Sequence, residues 1–322
     1  MTKTPVCRID GVVATEANQA VIFRRGPTKW CQMLVWDLNT DVVTPGQWLT
    51  GRVYTKRCDV SPDGRYLVLA ATNYSNRHRK RNQAPTPDEW MTVGWTAISR
   101  PPYFTALALW FTGGAWNGGG IWLGNREVGV NDFRHCWHEA VKPAKELKVR
   151  QLDLPPSEDE PIFTLRLERH GWQTMRKEVT VETNPDWRKK AQMLWSAVKR
   201  PSTFDEIESW LRNIEEAMPK PKTNVTGILE KRVPSGLLRR EHSYNSEQWS
   251  LIDDSGVERR SWKPRGGHPH WIDVDRRGRI VFGEMGCLWA WSDFPDGEPT
   301  LIADLNANTF ESVPPPDWAT RW

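Results

Sequence analysis

Two imidazole clusters are the first places where residue type and spacing suggest chemistry. "HCWHEA" (135–140) holds His135, Cys136, His138 and Glu139, and "GGHPHW" (266–271) adds His268 and His270. A zinc site needs three or four such ligands converging on one point. The first pair of histidines is three residues apart with the glutamate behind them, which is not the His-Glu-x-x-His order of a metalloprotease helix. Hydrogen-bonded or surface histidines are therefore expected, and no metal. "FTGGAWNGGGIW" (111–122) is glycine-rich but lacks the Lys-Ser/Thr of a phosphate loop and runs into a strand, so it reads as a flexible hairpin connection. No Gly-x-Ser-x-Gly elbow occurs and no cysteine stands in a protease context. No catalytic residues and no cofactor follow from these motifs. The remaining candidates for chemistry are His268, His270 and Asp273, which lead into or open a short apolar strand.

The elements that must position them repeat. "DVDRRGRIVF" (273–282) matches "DVSPDGRYLV" (59–68) at the Asp, the Val, the turn Gly and the following Arg. Gly64 and Gly278 each end a tight turn that demands positive φ, and an apolar strand follows at once. Further hairpins occur at "MLVWDLNTDVV" (33–43), "GGGIWLGNREVGV" (118–130), "QWSLIDDSGVERRSW" (248–262) and "LWAWSDFPDGEPTLIADL" (288–305). Each is a Trp-bearing strand, an Asp/Asn/Gly turn and a less apolar strand. Short strands at regular spacing indicate an all-β sandwich, barrel or propeller, and a unit recurring roughly every 45 residues favours the propeller.

On those residues the chain resembles the WD40 and TolB-like β-propellers. "SPDGRYLVLAA" (61–71) is similar to their inner-strand signature, "LVWDLNT" (34–40) to the Trp-Asp strand, and "LWAWSD" (288–293) to a looser form of it. No Gly-His dipeptide stands at the WD40 distance before each of these Trp residues, and blade lengths vary. The resemblance implies one all-β propeller domain over 1–322, with five to seven blades and the N- and C-terminal segments meeting in one blade. "PPPDWATRW" would then be a tail or a peptide packed on the rim. Most of the 20 tryptophans are expected in the core, with Trp289 and Trp291 sharing one strand face as a blade-to-blade packing pair.

Three segments depart from the strand pattern. Residues 185–219 carry Phe204, Ile207, Leu211, Ile214 and Met218 at helical spacing, after Trp187, Ala191, Leu194 and Val198. They read as an inserted helical hairpin, the one substantial helical element, whose Ile207, Trp210 and Leu211 either close a gap in the ring or dock a partner. Residues 73–89 cluster Arg77, His78, Arg79, Lys80 and Arg81 and read as a solvated basic loop, with "DLPPSEDEP" (153–161) its acidic counterpart. The basic loop offers charge without fixed geometry, so only weak, sequence-independent contact with nucleic acid is expected.

Composition sets the outer limits. The chain is 38% hydrophobic and 26% charged, and 44 Lys+Arg against 40 Asp+Glu leave a net charge of +4, too small by itself to imply a nucleic-acid protein. Five scattered cysteines without a CxxC pair suit a reducing compartment. With no signal-peptide pattern and no long apolar stretch, the cytoplasm is expected and the membrane is not. The favoured function is a non-catalytic interaction scaffold or regulatory subunit of a multiprotein complex that uses Arg77, Arg79, Lys80, Arg81 or the helical insert to hold a protein partner. The alternatives are a lectin-like propeller binding ligands through exposed Trp, and a hydrolase or lyase working at the central channel beside His268, His270 and Asp273.

Overall fold

Period-2 alternation decides the architecture. In the strand Gln19–Arg25, Val21 and Phe23 turn one way, into a cluster with Leu67 and Leu69, while Ala20 and Ile22 turn the other way, against Val281 and Leu288. A strand apolar on both faces needs a sheet on each side, which a ring of sheets supplies. In this computed structural model, which describes residues 7–26, 29–81, 92–131, 136–138, 140–152, 154, 159–182, 222–242, 247–265 and 271–322, five sheets form the blades of a β-propeller.

Blade 1 spans residues 8–50 as a four-stranded antiparallel meander. Blade 2 covers 52–111 and takes its outermost strand from Cys136–Trp137. Blade 3 (120–151) has three strands, the last of them, Lys148–Gln151, parallel to Glu127–Val130. Blade 4 (172–262) has five strands and blade 5 (272–304) four.

The repeated turns behave as their chemistry requires. Gly64 and Gly278 have φ of +77° and +80°, values that cost a side chain but not glycine. In blade 5, Asp275 accepts hydrogen bonds from the amides of Arg277 and Arg279, and Arg279 reaches across to Asp41 in blade 1. In blade 2, Asp63 and Ser61 do the same local work, on the amides of Arg65 and Tyr66. All four expected hairpins form.

Tryptophan belongs mainly to the seams. Trp291 and Trp289 both pack in the blade 4–blade 5 cluster. There Trp172 meets Trp249 edge-on at 5.7 Å between ring centroids, Trp249 stacks on Trp262 at 6.1 Å, and Trp262 meets Trp291 at 5.7 Å, within the range favoured by aromatic pairs. Trp122 and Trp110 fill the blade 2–blade 3 seam. Trp116 and Trp318 are exposed.

Four expectations need correction. The first and last blades share no strand among the described residues: blade 1 is built from residues 8–50 and blade 5 from 272–304, while the matching motifs sit in blades 2 and 5. The ring closes instead by packing blade 1 on blade 5 and by a strap. Residues 305–322 leave blade 5, place Leu305 in the blade 1–blade 5 core, stack Phe310 on Trp30 (4.2 Å), and end with the Trp322 indole donating to the carbonyls of Leu107 and Lys142, both at 3.0 Å. The "PPPDWATRW" segment thus lies on the rim, as expected.

Second, residues 113–119 are not a hairpin connection but the crossing from blade 2 to blade 3. Third, part of the basic loop is a short helix, α1 (Asn76–Arg81). Fourth, the acidic loop gives way at its end to a ten-residue helix, α2 (Glu160–Arg169), with Pro161 in its first turn where a missing N–H costs nothing. The helical insertion at 185–219 lies outside the described residues.

Candidate functional site

A cavity of about 680 Å³ occupies the channel, lined by blades 1, 2, 4 and 5 and by α2. It lies where the innermost strands begin, at Ile9, Val53, Trp172 and Ile272. Helix α2 stands between blade 3 and blade 4, contacting the strands Gly120–Gly124 and Trp172–Glu182. Asp159, Phe163, Arg166 and His170 recur every three or four residues, so one side of α2 faces the cavity.

Two consecutive residues at the end of α2 hold two aspartates from opposite ends of the chain. Arg169 grips fully buried Asp59 with both terminal nitrogens, each at 2.6 Å, and donates to the carbonyl of Trp122. The Trp122 amide completes the Asp59 shell at 2.7 Å. Next in sequence, His170 meets Asp273 Oδ2 through Nδ1 at 3.1 Å, while its Nε2 lies 3.2 Å from Arg169 Nη2. Arginine only donates, so Nε2 accepts and the ring proton sits on Nδ1, aimed at Asp273.

Lys231 donates to the other Asp273 oxygen at 3.0 Å, and the Val274 amide at 2.8 Å. Burial alone would raise the Asp273 carboxyl. The Lys231 charge and the His170 hydrogen bond outweigh it and hold the group well below the usual carboxylate range. Above this ladder, Arg166 is enclosed and donates to the carbonyls of Thr55 and Cys58; burial pulls its pKa below the usual arginine value.

His170 therefore has no free nitrogen for a general base, and no hydrogen-bonded nucleophile adjoins it among the described residues. Buried Cys58, next to Asp59 in sequence, is pushed up to about 12 by burial, the reverse of an activated cysteine.

Charge in the cavity wall is unevenly matched. Each of its carboxylates is paired: Asp10 with Arg25, Asp159 with Arg57, Asp273 with Lys231 and Glu284 with Arg265. Arg240 pairs with Glu247. Arg52 and Lys56, both from blade 2, meet no carboxylate among the described residues and rest on aromatic rings instead. The Arg52 guanidinium lies 4.7 Å from the Tyr54 ring centroid and Lys56 Nζ 5.2 Å from that of Phe163. Facing them from blades 4 and 5 are Trp172, Trp249 and Trp271.

Of the residues singled out from sequence, the structure brings only Asp273 into this site. His268, His270, Ile207, Trp210 and Leu211 lie outside the described residues. Arg77 is exposed on α1, and Arg79, Lys80 and Arg81 follow it in that helix. His138 sits at the outer edge of blade 2, its Nδ1 accepting from the Ala140 amide, while His135 and Glu139 are outside the described residues. Sequence reading missed Arg169, His170, Lys231, Arg52 and Lys56. One signal was present for Asp59, since it is the repeat counterpart of Asp273.

No family model matches the chain, and no curated protein matches it. Among solved structures it is similar to the β-propeller domain of the Trilobed protease from Pyrococcus furiosus, described as having an open velcro topology, at 11% identity over 94% of this chain and 100% of that one, with a TM-score of 0.37. It is also similar to the Pyrococcus horikoshii acylaminoacyl peptidase, at 11% identity and a TM-score of 0.32, covering 92% of this chain and 45% of the peptidase. The Dos1 propeller gives 7% identity and a TM-score of 0.24 over 94% of this chain and 74% of that one. By the arrangement of its own five sheets, the chain is a β-propeller.

Proposed function

We propose that the protein is a non-catalytic β-propeller that serves as an interaction scaffold, recognising its partner through the face where the inner strands begin and the central cavity lies. One observation carries this reading. In the cavity, every carboxylate and the His170 ring are consumed by fixed pairings, while Arg52 and Lys56 remain as surplus cations among aromatic rings. Such a wall suits a negative group and, among the described residues, offers no group poised to make or break a bond. Among the described residues, a hydrolase or lyase reading would need a base that His170, engaged at both nitrogens, does not offer; His268 and His270 lie outside the described residues.

The test is affinity purification from the native host with wild type and an R52E/K56E variant, read by quantitative mass spectrometry. A partner enriched with wild type and lost with the folded variant is expected. Equal recovery with both proteins would overturn the assignment of this face.

A further inference from the structure

Building on that reading's choice of the cavity as the recognition site, we infer that the cavity binds a small organic anion, with a carboxylate or sulfonate held by Arg52 and Lys56 and an aromatic body against Trp172 and Trp249.

Three features converge on this class of ligand. First, at about 680 Å³ the cavity is in the range that encloses small molecules. Second, its unsatisfied charge is local: both surplus cations come from residues 52–56, at one side of the channel. An anion bound there gains charge-assisted hydrogen bonds without displacing a carboxylate partner. Third, the two cations already lie beside the Tyr54 and Phe163 rings, while Trp172, Leu229 and Trp249 supply apolar wall from blade 4. A neutral aromatic ligand would leave the cations unused, and a bare inorganic anion would leave the tryptophan wall unused. A ligand with both parts uses both.

Asp273 does not compete with such an anion, because Lys231 and His170 already occupy its oxygens. Arg166 is likewise committed to two backbone carbonyls. The recognition element is thus confined to blade 2, and it can be removed without touching the ladder that holds α2.

The experiment uses the full chain and two fluorescent probes of nearly the same shape, 8-anilinonaphthalene-1-sulfonate and its neutral analogue N-phenyl-1-naphthylamine. Titration followed by the fluorescence of each probe reports affinity and the number of sites. Wild type should bind the sulfonate at one site and more tightly than the neutral amine. R52Q/K56Q should lose about tenfold or more in sulfonate affinity, as expected for two charge-assisted contacts, with amine affinity unchanged. R77Q, on α1 outside the cavity, should bind as wild type does.

Displacement of the sulfonate by 2-naphthoate identifies a small-molecule site. Displacement by a Glu- and Phe-containing peptide but not by 2-naphthoate would overturn the inference while leaving the scaffold reading intact. Equal sulfonate affinity in wild type and R52Q/K56Q would also overturn it, and circular dichroism of the variant excludes unfolding as the cause.

Discussion

Asp59 and Asp273 are counterparts in the repeated motif of two blades, and Arg169, the last residue of α2, and His170, which follows it, bind them. The helix is thereby tied to blade 2 and to blade 5 at once. Replacing Asp59 with Asn would leave the Arg169 guanidinium without its counter-charge. The unfolding free energy should fall by about 3 kcal/mol or more, measured by urea denaturation. D59N with wild-type stability would show that the pair carries no net weight.

The Asp273 carboxyl titrates lower in the folded protein than in the unfolded chain, where an aspartate sits near ~3.9. Its contribution is therefore fully present above about pH 4 to 5 and is lost as pH falls toward the folded value. D273N lacks that dependence. The stability difference between wild type and D273N should narrow as pH falls from about 5 to below 3. A difference that stays constant, or widens in acid, contradicts the assignment.

Gly11 has a steric reason to be glycine. A Cβ placed there would lie 2.5 Å from Cε2 of Trp271, whose ring crosses from blade 5 onto blade 1. G11A should destabilise by about 1–3 kcal/mol through overpacking. Made in a W271L background, the same change should cost much less, because the obstructing ring is gone. Equal costs in both backgrounds would place the strain elsewhere.

The thiols in the blade 1–blade 2 seam should be inert. Burial raises the pKa of Cys31 and pushes that of Cys58 up to about 12. Both should remain unmodified by an iodoacetamide pulse at pH 8 and react only after denaturant is added, as located by peptide mass spectrometry. Rapid native labelling of either would mean that the seam opens.

The strap predicts a graded loss. W322A removes an indole that donates to two carbonyls and packs on Tyr66 at 5.5 Å between centroids, at a cost of about 1–3 kcal/mol for a partly exposed side chain. Deleting 309–322 should lower the thermal midpoint further, since the Phe310–Trp30 stack goes too. A truncated chain that melts like wild type would make the strap decorative.

What sequence disclosed and what it hid divide along chemical distance. Gly64, Gly278 and the Asp253 turn act on residues within a few positions of themselves, so hairpins and repeats could be read directly. Helix α2 could not. Its cavity side carries Phe163, Arg166 and His170 where an apolar stripe would mark a helix, and the partners that satisfy these groups lie more than 100 residues away. The site was legible at Asp273, which opens a short strand, and through the repeat at its counterpart Asp59. Arg52 and Lys56 look like any surface cations until the fold shows that every nearby carboxylate is already paired.

Because blade 1 is built from one continuous stretch of chain, a ribosome would release it with one flank and its rim still bare. Blade 2 covers one side early, but Ile22, Leu34 and Trp36 wait for Val281 and Leu288, and Trp30 waits for Phe310. Vectorial synthesis thus holds open a sticky edge until residues 281–310 have emerged, which is the interval in which such intermediates misassociate. The hazard of aggregation during translation is therefore concentrated in blade 1 and is removed by blade 5 and the strap.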